Sequence, residues 1–181
     1  MTEIVALPMS TSYSFCGESN AMGLGLSVHK NGGWQGQYDR AKRWHLLVQH
    51  IGRQRKEGDT EQEHDFVYAF FQNCYHLRDW LQNSGAVAQS KLEDFFRQHE
   101  PMRVCQDVCN GTKHWRLDRA KVDAQFSIGR EYVPANWPSD RPQLNASWFL
   151  ICGSTKYDIF QLADTCMSLW DSFLRSEGLL K

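Results

Sequence analysis

The sequence predicts a mainly α-helical protein, a four- to five-helix bundle with a small antiparallel strand pair before the C-terminal helix. Apolar residues recur at intervals of three and four along most of residues 37–113, which is the spacing of a buried helix face. After about residue 120 the spacing changes, and two short β-rich runs precede a last amphipathic segment. A chain of 181 residues, 41% of them hydrophobic, is long enough to bury a core of its own.

The N-terminal half of the chain contains an irregular stretch and two predicted helices, one of them the longest of the bundle. Glycines interrupt every candidate period in residues 1–36, so we expect an irregular arm there. A helix over about 37–54 follows. Thr60 and Glu63 match a capping box, in which each side chain satisfies a free backbone amide at a helix start. This box opens the longest helix, about 60–83, which Gly85 ends.

The C-terminal half is predicted to contain two more short helices, the strand pair and a last helix. Ser90 and Glu93 repeat the capping-box pattern before a helix over about 90–98. Pro101 then begins a helix over about 101–113. Strands over about 122–131 and 147–154 form a β-hairpin insertion at about 122–154, and the last helix spans about 156–176. Residues 37–181 are therefore predicted to be a single domain.

Composition narrows the classes of function. Twenty Lys and Arg residues stand against twenty-one Asp and Glu residues, so the chain lacks the overall positive charge that drives nonspecific nucleic-acid binding. None of the six cysteines forms a CxxC pair, which favours reduced, buried thiols. We find no secretory signal, no membrane-spanning run, no phosphate-binding glycine loop and no dinucleotide fingerprint. We therefore expect a cytoplasmic protein with no membrane partner and no cofactor.

Polar residues on two predicted helices form the sharpest functional signal. On a helix Asp107, Asn110 and His114 fall within about 60° of one another. His76 and Asp79 lie three residues apart and share a face in the same way. The connection through one short helix allows the two helices to pack antiparallel, and in that arrangement the two polar faces would meet.

This polar cluster has three interpretations. It can be a structural hydrogen-bond network that fixes helix packing. It can be a catalytic or anion-binding site, in which Asp orients a His and Lys113 or Arg78 stabilises an anion. It can also be a metal site, since His and carboxylate groups are suitable ligands. Trp115, which lies between His114 and Arg116, is the one tryptophan that we expect to contact a ligand.

The same residues carry a resemblance to known proteins. Cys74–Trp80 and Val104–His114 resemble an uncharacterised group of bacterial helical proteins with an HLxDW helix and a DxxNGxKH helix. The likeness runs from about residue 60 to the C-terminus. These proteins are distantly similar to HEPN domains, helical bundles of prokaryotic toxin and defence systems, many of which are metal-independent ribonucleases that act as dimers.

The HEPN resemblance implies a set of site residues. The nuclease motif has an Arg followed, after four to six residues, by a His. His114 matches the His, but the Arg is absent because positions 107, 108 and 109 are Asp, Val and Cys. Together, this motif and the polar cluster give the catalytic candidates His114, Asn110, Asp107, His76 and Asp79. The ligand-binding candidates are Lys113, Arg78, Trp115 and Arg116.

The resulting functional hypothesis is a HEPN-like module of a prokaryotic defence or toxin-related system. It binds RNA, a nucleotide or another anionic ligand, and the missing Arg leaves ribonuclease activity open. The resemblance also implies a homodimer. The alternative is a non-enzymatic module that binds a protein partner, in which the His and Asp side chains are structural.

Overall fold

The computed structural model describes residues 32–53, 60–113, 119–134 and 144–181. In these ranges the chain forms five helices and three strands, which confirms the predicted fold class. The helices are α1 (Gly33–Arg53), α2 (Thr60–Asn83), α3 (Gln89–Gln98), α4 (Glu100–Lys113) and α5 (Ile159–Ser176). The strands are β1 (Ser127–Pro134), β2 (Leu144–Cys152) and β3 (Thr155–Asp158).

Helix α2 lies in the middle of the bundle and packs against α1, α4 and α5. Six of its apolar residues are fully buried, because the helix meets neighbours on several sides. The indole of Trp170 on α5 donates a hydrogen bond to the Cys74 carbonyl at 3.1 Å, which fixes α5 against α2. The fully buried residues of α2 are Val67, Phe70, Phe71, Cys74, Leu77 and Leu81.

The three strands form one antiparallel sheet in the order β1-β2-β3. Ser127 pairs with Ile151 in the first ladder, and Phe149 pairs with Asp158 in the second. The sequence predicted only two strands and assigned residues 156–158 to the last helix. The polar run of β3 lacks an apolar alternation, so its strand conformation comes from pairing with β2.

Several predicted helix ends are confirmed and others are wrong. Gly85 has φ +70° and ends α2, as expected for the left-handed position after a helix. The second capping box is wrong, since α3 begins after Ala88 without a side-chain cap. The predicted N-terminal arm extends too far, because α1 already begins at Gly33. The rest of that arm, residues 1–31, lies outside the described part of the chain.

A buried polar contact joins α2 to the sheet. The Glu63 carboxylate accepts a hydrogen bond from the Trp148 indole at 3.2 Å and lies 3.3 Å from the Arg130 guanidinium. Trp148 is fully buried and Glu63 nearly so. The capping-box pattern does not predict this role, in which Glu63 fixes the sheet against the bundle. Within the ranges that the structure describes, we find no helix of the length and apolar character needed to cross a membrane.

Candidate functional site

Helices α2 and α4 lie side by side in opposite directions. Gln72 Nε2 donates to Thr112 Oγ1 at 2.9 Å, and one turn further along α2 His76 Nε2 lies 3.8 Å from Cys109 Sγ. Moving along α2 from residue 72 to residue 76, the contacts on α4 move back from residue 112 to residue 109, so the two helices are antiparallel. This packing also brings Lys113 Nζ to 2.5 Å from His76 Nε2.

The contact between His76 and Lys113 fixes the state of the imidazole. An ammonium group only donates hydrogen bonds, so Nε2 must be the accepting nitrogen and Nδ1 carries the proton. Burial lowers the pKa of His76, and the charge of Lys113 lowers the pKa further, while Asp79 opposes both effects. A neutral imidazole is the form that accepts a proton in general base catalysis.

Asp107 has a structural environment that differs from the sequence prediction. The sequence places it on a polar helix face with Asn110, but its side chain is fully buried. Its Oδ2 accepts hydrogen bonds from the backbone amides of Lys121, Val122 and Asp123 at 2.9, 2.6 and 3.1 Å. Its Oδ1 also accepts from the Lys121 amide, at 2.7 Å.

The contacts of Asp107 indicate what its carboxylate does. Ionised oxygens are strong acceptors for backbone amides, and a buried carboxylate needs such partners. The side chain therefore holds the segment 121–123 against α4. No contact with His76 is formed, so Asp107 does not orient that imidazole.

The remaining candidates are distributed around the His76 contact. Arg78 and Asp79 lie on the next part of α2, with Arg78 Nη1 3.7 Å from Asp79 Oδ1. Asp79 is about half exposed, with 48% of its side chain accessible. Asn110 is partly buried on α4. Three further candidates, His114, Trp115 and Arg116, lie outside the described residues.

A basic groove lies where α2, α3 and α4 meet, close to Arg78. Its volume is about 400 Å³. Sequence reasoning identified only Arg78 among its residues, because the other cations lie on different elements and converge through tertiary packing. The lining residues of this basic groove are Arg78, Glu93, Phe96, Arg97, Arg103, Gln106 and Lys121.

The charged groups of the basic groove are unequally paired. Arg97 pairs with Asp94 on its own helix, and Arg103 Nη1 donates to the Arg97 carbonyl at 2.5 Å. By contrast, the side chains of Lys121 and Gln106 have no hydrogen bond or ion pair with another described residue. Four cations therefore face one lining carboxylate, Glu93, and part of that positive charge is free to meet an anion.

A second groove, of about 500 Å³, lies beside Thr112 and has a different character. Its lining includes one acidic side chain, Asp65, and no Lys or Arg, so it does not suit a phosphate. Aromatic rings from α1, from α2 and from the segment before β1 line part of it. Its lining residues are Trp44, Asp65, Tyr68, Ala69, Gln72, Gly111, Thr112 and Phe126.

The described residues contain one group of side chains with metal-ligand spacing, and that group is Cys74, Cys105 and Cys166. His76, Asp79 and Asp107 do not form such a group within the described ranges. Both carboxylate oxygens of Asp107 already accept hydrogen bonds from backbone amides. The metal interpretation of the His and Asp cluster therefore has no geometric support there.

No protein-family model, curated protein or solved structure significantly matches this chain. The resemblance to HEPN domains therefore stays a prediction.

Proposed function

We propose that this chain binds a phosphate-bearing anion, with RNA as the expected class, at the basic groove. The observation that carries the proposal is the convergence of Arg78, Arg103 and Lys121 on one concave surface. Guanidinium groups bind phosphates through paired N–H donors, and lysine adds a compact positive charge. A volume of about 400 Å³ is in the range of small-ligand sites, large enough for a phosphate with its sugar.

The position of Arg78 supports binding at low entropic cost. Its guanidinium carbon lies 5.9 Å from the ring centroids of both Tyr75 and Phe96, and Nη1 donates to Tyr75 Oη at 3.2 Å. These contacts hold the side chain before any ligand arrives. An arginine that is already oriented loses less rotamer freedom when it binds, so more of the interaction free energy contributes to affinity.

The HEPN-like interpretation supplies the context of this proposal. In that interpretation the chain is a homodimeric module of a prokaryotic defence or toxin-related system, and RNA is its ligand. Sedimentation of the purified protein measures the oligomeric state directly. A monomer at all tested concentrations would contradict the homodimer without affecting the basic groove.

The binding proposal is tested with fluorescently labelled single-stranded RNA, whose anisotropy reports affinity at several salt concentrations. Charge reversal in Arg103→Glu and in Lys121→Glu should each weaken binding by at least about tenfold. Removing one phosphate contact should also reduce the salt dependence of the affinity by about one unit of slope.

The matched control is Lys42→Glu, since Lys42 is an exposed lysine of α1 that pairs with Asp39. It changes the net charge equally but lies outside the basic groove, so its affinity should stay within about twofold of wild type. Equal losses in the control and in the Arg103 variant would indicate nonspecific attraction and would refute the groove. Undiminished binding by both groove variants would refute it as well.

Ribonuclease activity is a second candidate function, favoured by the neutral His76 beside Lys113. When the Lys113 ammonium leaves His76 Nε2 to bind the phosphate, that nitrogen is free to take the proton of a ribose 2′-hydroxyl. The ammonium group then stabilises the phosphorane that forms. The test is RNA cleavage in the presence of a chelator by wild type, His76→Ala and His114→Ala. Equal cleavage in all three proteins, or none in wild type, would contradict this activity.

The non-enzymatic alternative is favoured by the contacts of Asp107. A carboxylate that is occupied by three backbone amides fixes the fold, which is the structural role that this alternative assigns to the cluster. If wild-type protein binds no RNA in the anisotropy experiment, this alternative replaces the proposal.

A further inference from the structure

Three cysteines from three different helices meet in the centre of the bundle. Cys74 lies on α2, Cys105 on α4 and Cys166 on α5, and each is fully buried. Their sulfur atoms all lie within 4.8 Å of one another. We call these three residues the cysteine cluster.

Helix packing positions the sulfurs of the cysteine cluster. Cys105 Sγ lies 3.5 Å from the carbonyl oxygen of Phe71 on α2, and Cys166 Sγ lies 3.6 Å from that of Pro101 on α4. The thiols of Cys105 and Cys166 therefore each contact the backbone of a neighbouring helix. The sulfurs are held between the helices by the contacts that hold the bundle together.

The ligand set of the cysteine cluster is made of sulfur alone. Among the described residues no His, Asp or Glu joins it, and no fourth Cys does. Structural zinc sites take four ligands in a tetrahedron, so three sulfurs leave zinc incompletely coordinated. Thiolate sulfur is a soft ligand and prefers soft metal or metalloid ions. A set of three sulfurs therefore suits a soft ion that takes three ligands.

We propose that Cys74, Cys105 and Cys166 bind one soft, thiophilic centre through three sulfur ligands, a chemistry that Cu(I) and trivalent arsenic share. With bonds of about 2.3 Å, three sulfurs in a plane around Cu(I) are about 4 Å apart, and a pyramidal arsenic centre draws them somewhat closer. The sulfurs, which lie within 4.8 Å of one another, must therefore approach by roughly 1 Å, which side-chain rotation can provide.

Charge balance distinguishes the two centres. All three cysteines are fully buried, and an apolar surrounding disfavours an unpaired thiolate, so the charge left by the bound centre matters. With arsenous acid, three As–O bonds break and three As–S bonds form, and the thiol protons leave with the hydroxides as three waters. The oxidation state does not change and the product is neutral. Cu(I) instead releases protons and leaves a buried negative charge, so the apolar core favours arsenic.

The proposal is tested by titrating the reduced full-length protein without oxygen, with Cu(I) in one arm and arsenite in the other. We expect one centre per chain in at least one arm. Cys105→Ala should reduce that binding by at least tenfold, because it removes one of the three sulfur ligands. The matched control is Cys109→Ala, which removes another buried thiol of α4 that lies outside the cluster and should retain wild-type binding.

X-ray absorption of the loaded wild-type protein gives a readout that does not depend on how well a variant folds. Three sulfur neighbours and no nitrogen or oxygen neighbour are expected in the arm that binds. Failure of both arms to bind would overturn the proposal, as would a centre with fewer than three sulfurs or equal loss in the two variants. None of these three outcomes bears on RNA binding, since the basic groove shares no residue with the cysteine cluster.

Discussion

Replacing Asp107 by Asn is the sharpest test of whether this carboxylate is structural. The substitution keeps the shape of the side chain and removes its charge. The asparagine carbonyl can take the position of Oδ2 and accept from the amides of Lys121, Val122 and Asp123. Its NH2 group then faces the Lys121 amide, where Oδ1 accepts at 2.7 Å in the wild type. A donor would face a donor in a fully buried position.

The magnitude follows from the three amides that Asp107 accepts from. A hydrogen bond to a charged group contributes about 1.5–3 kcal/mol and a neutral one about 1 kcal/mol, so neutralisation weakens each bond by roughly 1 kcal/mol. We therefore expect Asp107→Asn to lower the free energy of unfolding by about 3 kcal/mol. This is a large part of the 5–15 kcal/mol that stabilises an ordinary domain.

The assay is urea denaturation followed by far-UV circular dichroism, with wild type and variant measured at equal concentration. Asp123→Asn is the matched control, because its carboxylate also accepts two backbone amides but is solvent-exposed. Its effect should be much smaller, since water replaces a lost hydrogen bond at the surface. If Asp107→Asn unfolds within about 1 kcal/mol of wild type, the structural interpretation is refuted and Asp107 becomes available for catalysis.

Three further predictions concern α2 and its end. Glu63→Ala should lower the free energy of unfolding by about 3–5 kcal/mol, because it removes a carboxylate partner of the buried Arg130. The same urea denaturation measures this loss, and a value below about 1 kcal/mol would contradict the expectation. An NMR titration should give His76 a pKa below its ordinary value, and Lys113→Met should raise that pKa. If the pKa of His76 is the same in Lys113→Met as in wild type, the charge of Lys113 does not lower it. Because the folded state disfavours the proton, His76 contributes stability above its unfolded pKa that is lost as pH falls through the folded pKa. Gly85→Ala should destabilise the protein by about 1 kcal/mol, because φ is +70° at this position and an alanine there is strained. No neighbouring atom would clash with the added methyl group, so the backbone strain alone is measured. A rise in melting temperature would refute this reasoning.

The bundle could be predicted from the sequence because helix formation depends on local spacing. The apolar positions of α2 recur within single turns, and the bounds Thr60–Asn83 match the predicted range of about 60–83. The strand β3 was missed for the opposite reason. Its residues Thr155–Asp158 lack a strand pattern of their own and become a strand only through hydrogen bonds with β2.

The contacts of the candidate site could be predicted less well from the sequence, because polar side chains form hydrogen bonds with groups that are distant in the chain. Asp107 shares a helix face with Asn110, yet its partners are backbone amides of a later loop. Every residue except proline has a backbone amide, so the sequence does not show which amides a buried carboxylate will bind. The basic groove likewise depends on Arg103 and Lys121 meeting across separate elements.

By itself, then, the sequence determined most of the helical segments, because apolar spacing is a local signal. It placed His76 and Lys113 on two helices that could pack antiparallel, but the contact between them was decided by the tertiary structure. Only the tertiary structure decided that Asp107 holds a loop rather than His76, because a buried carboxylate must be satisfied by whichever donors the packing brings to it. The same packing brought three separate cysteines within 4.8 Å in one core.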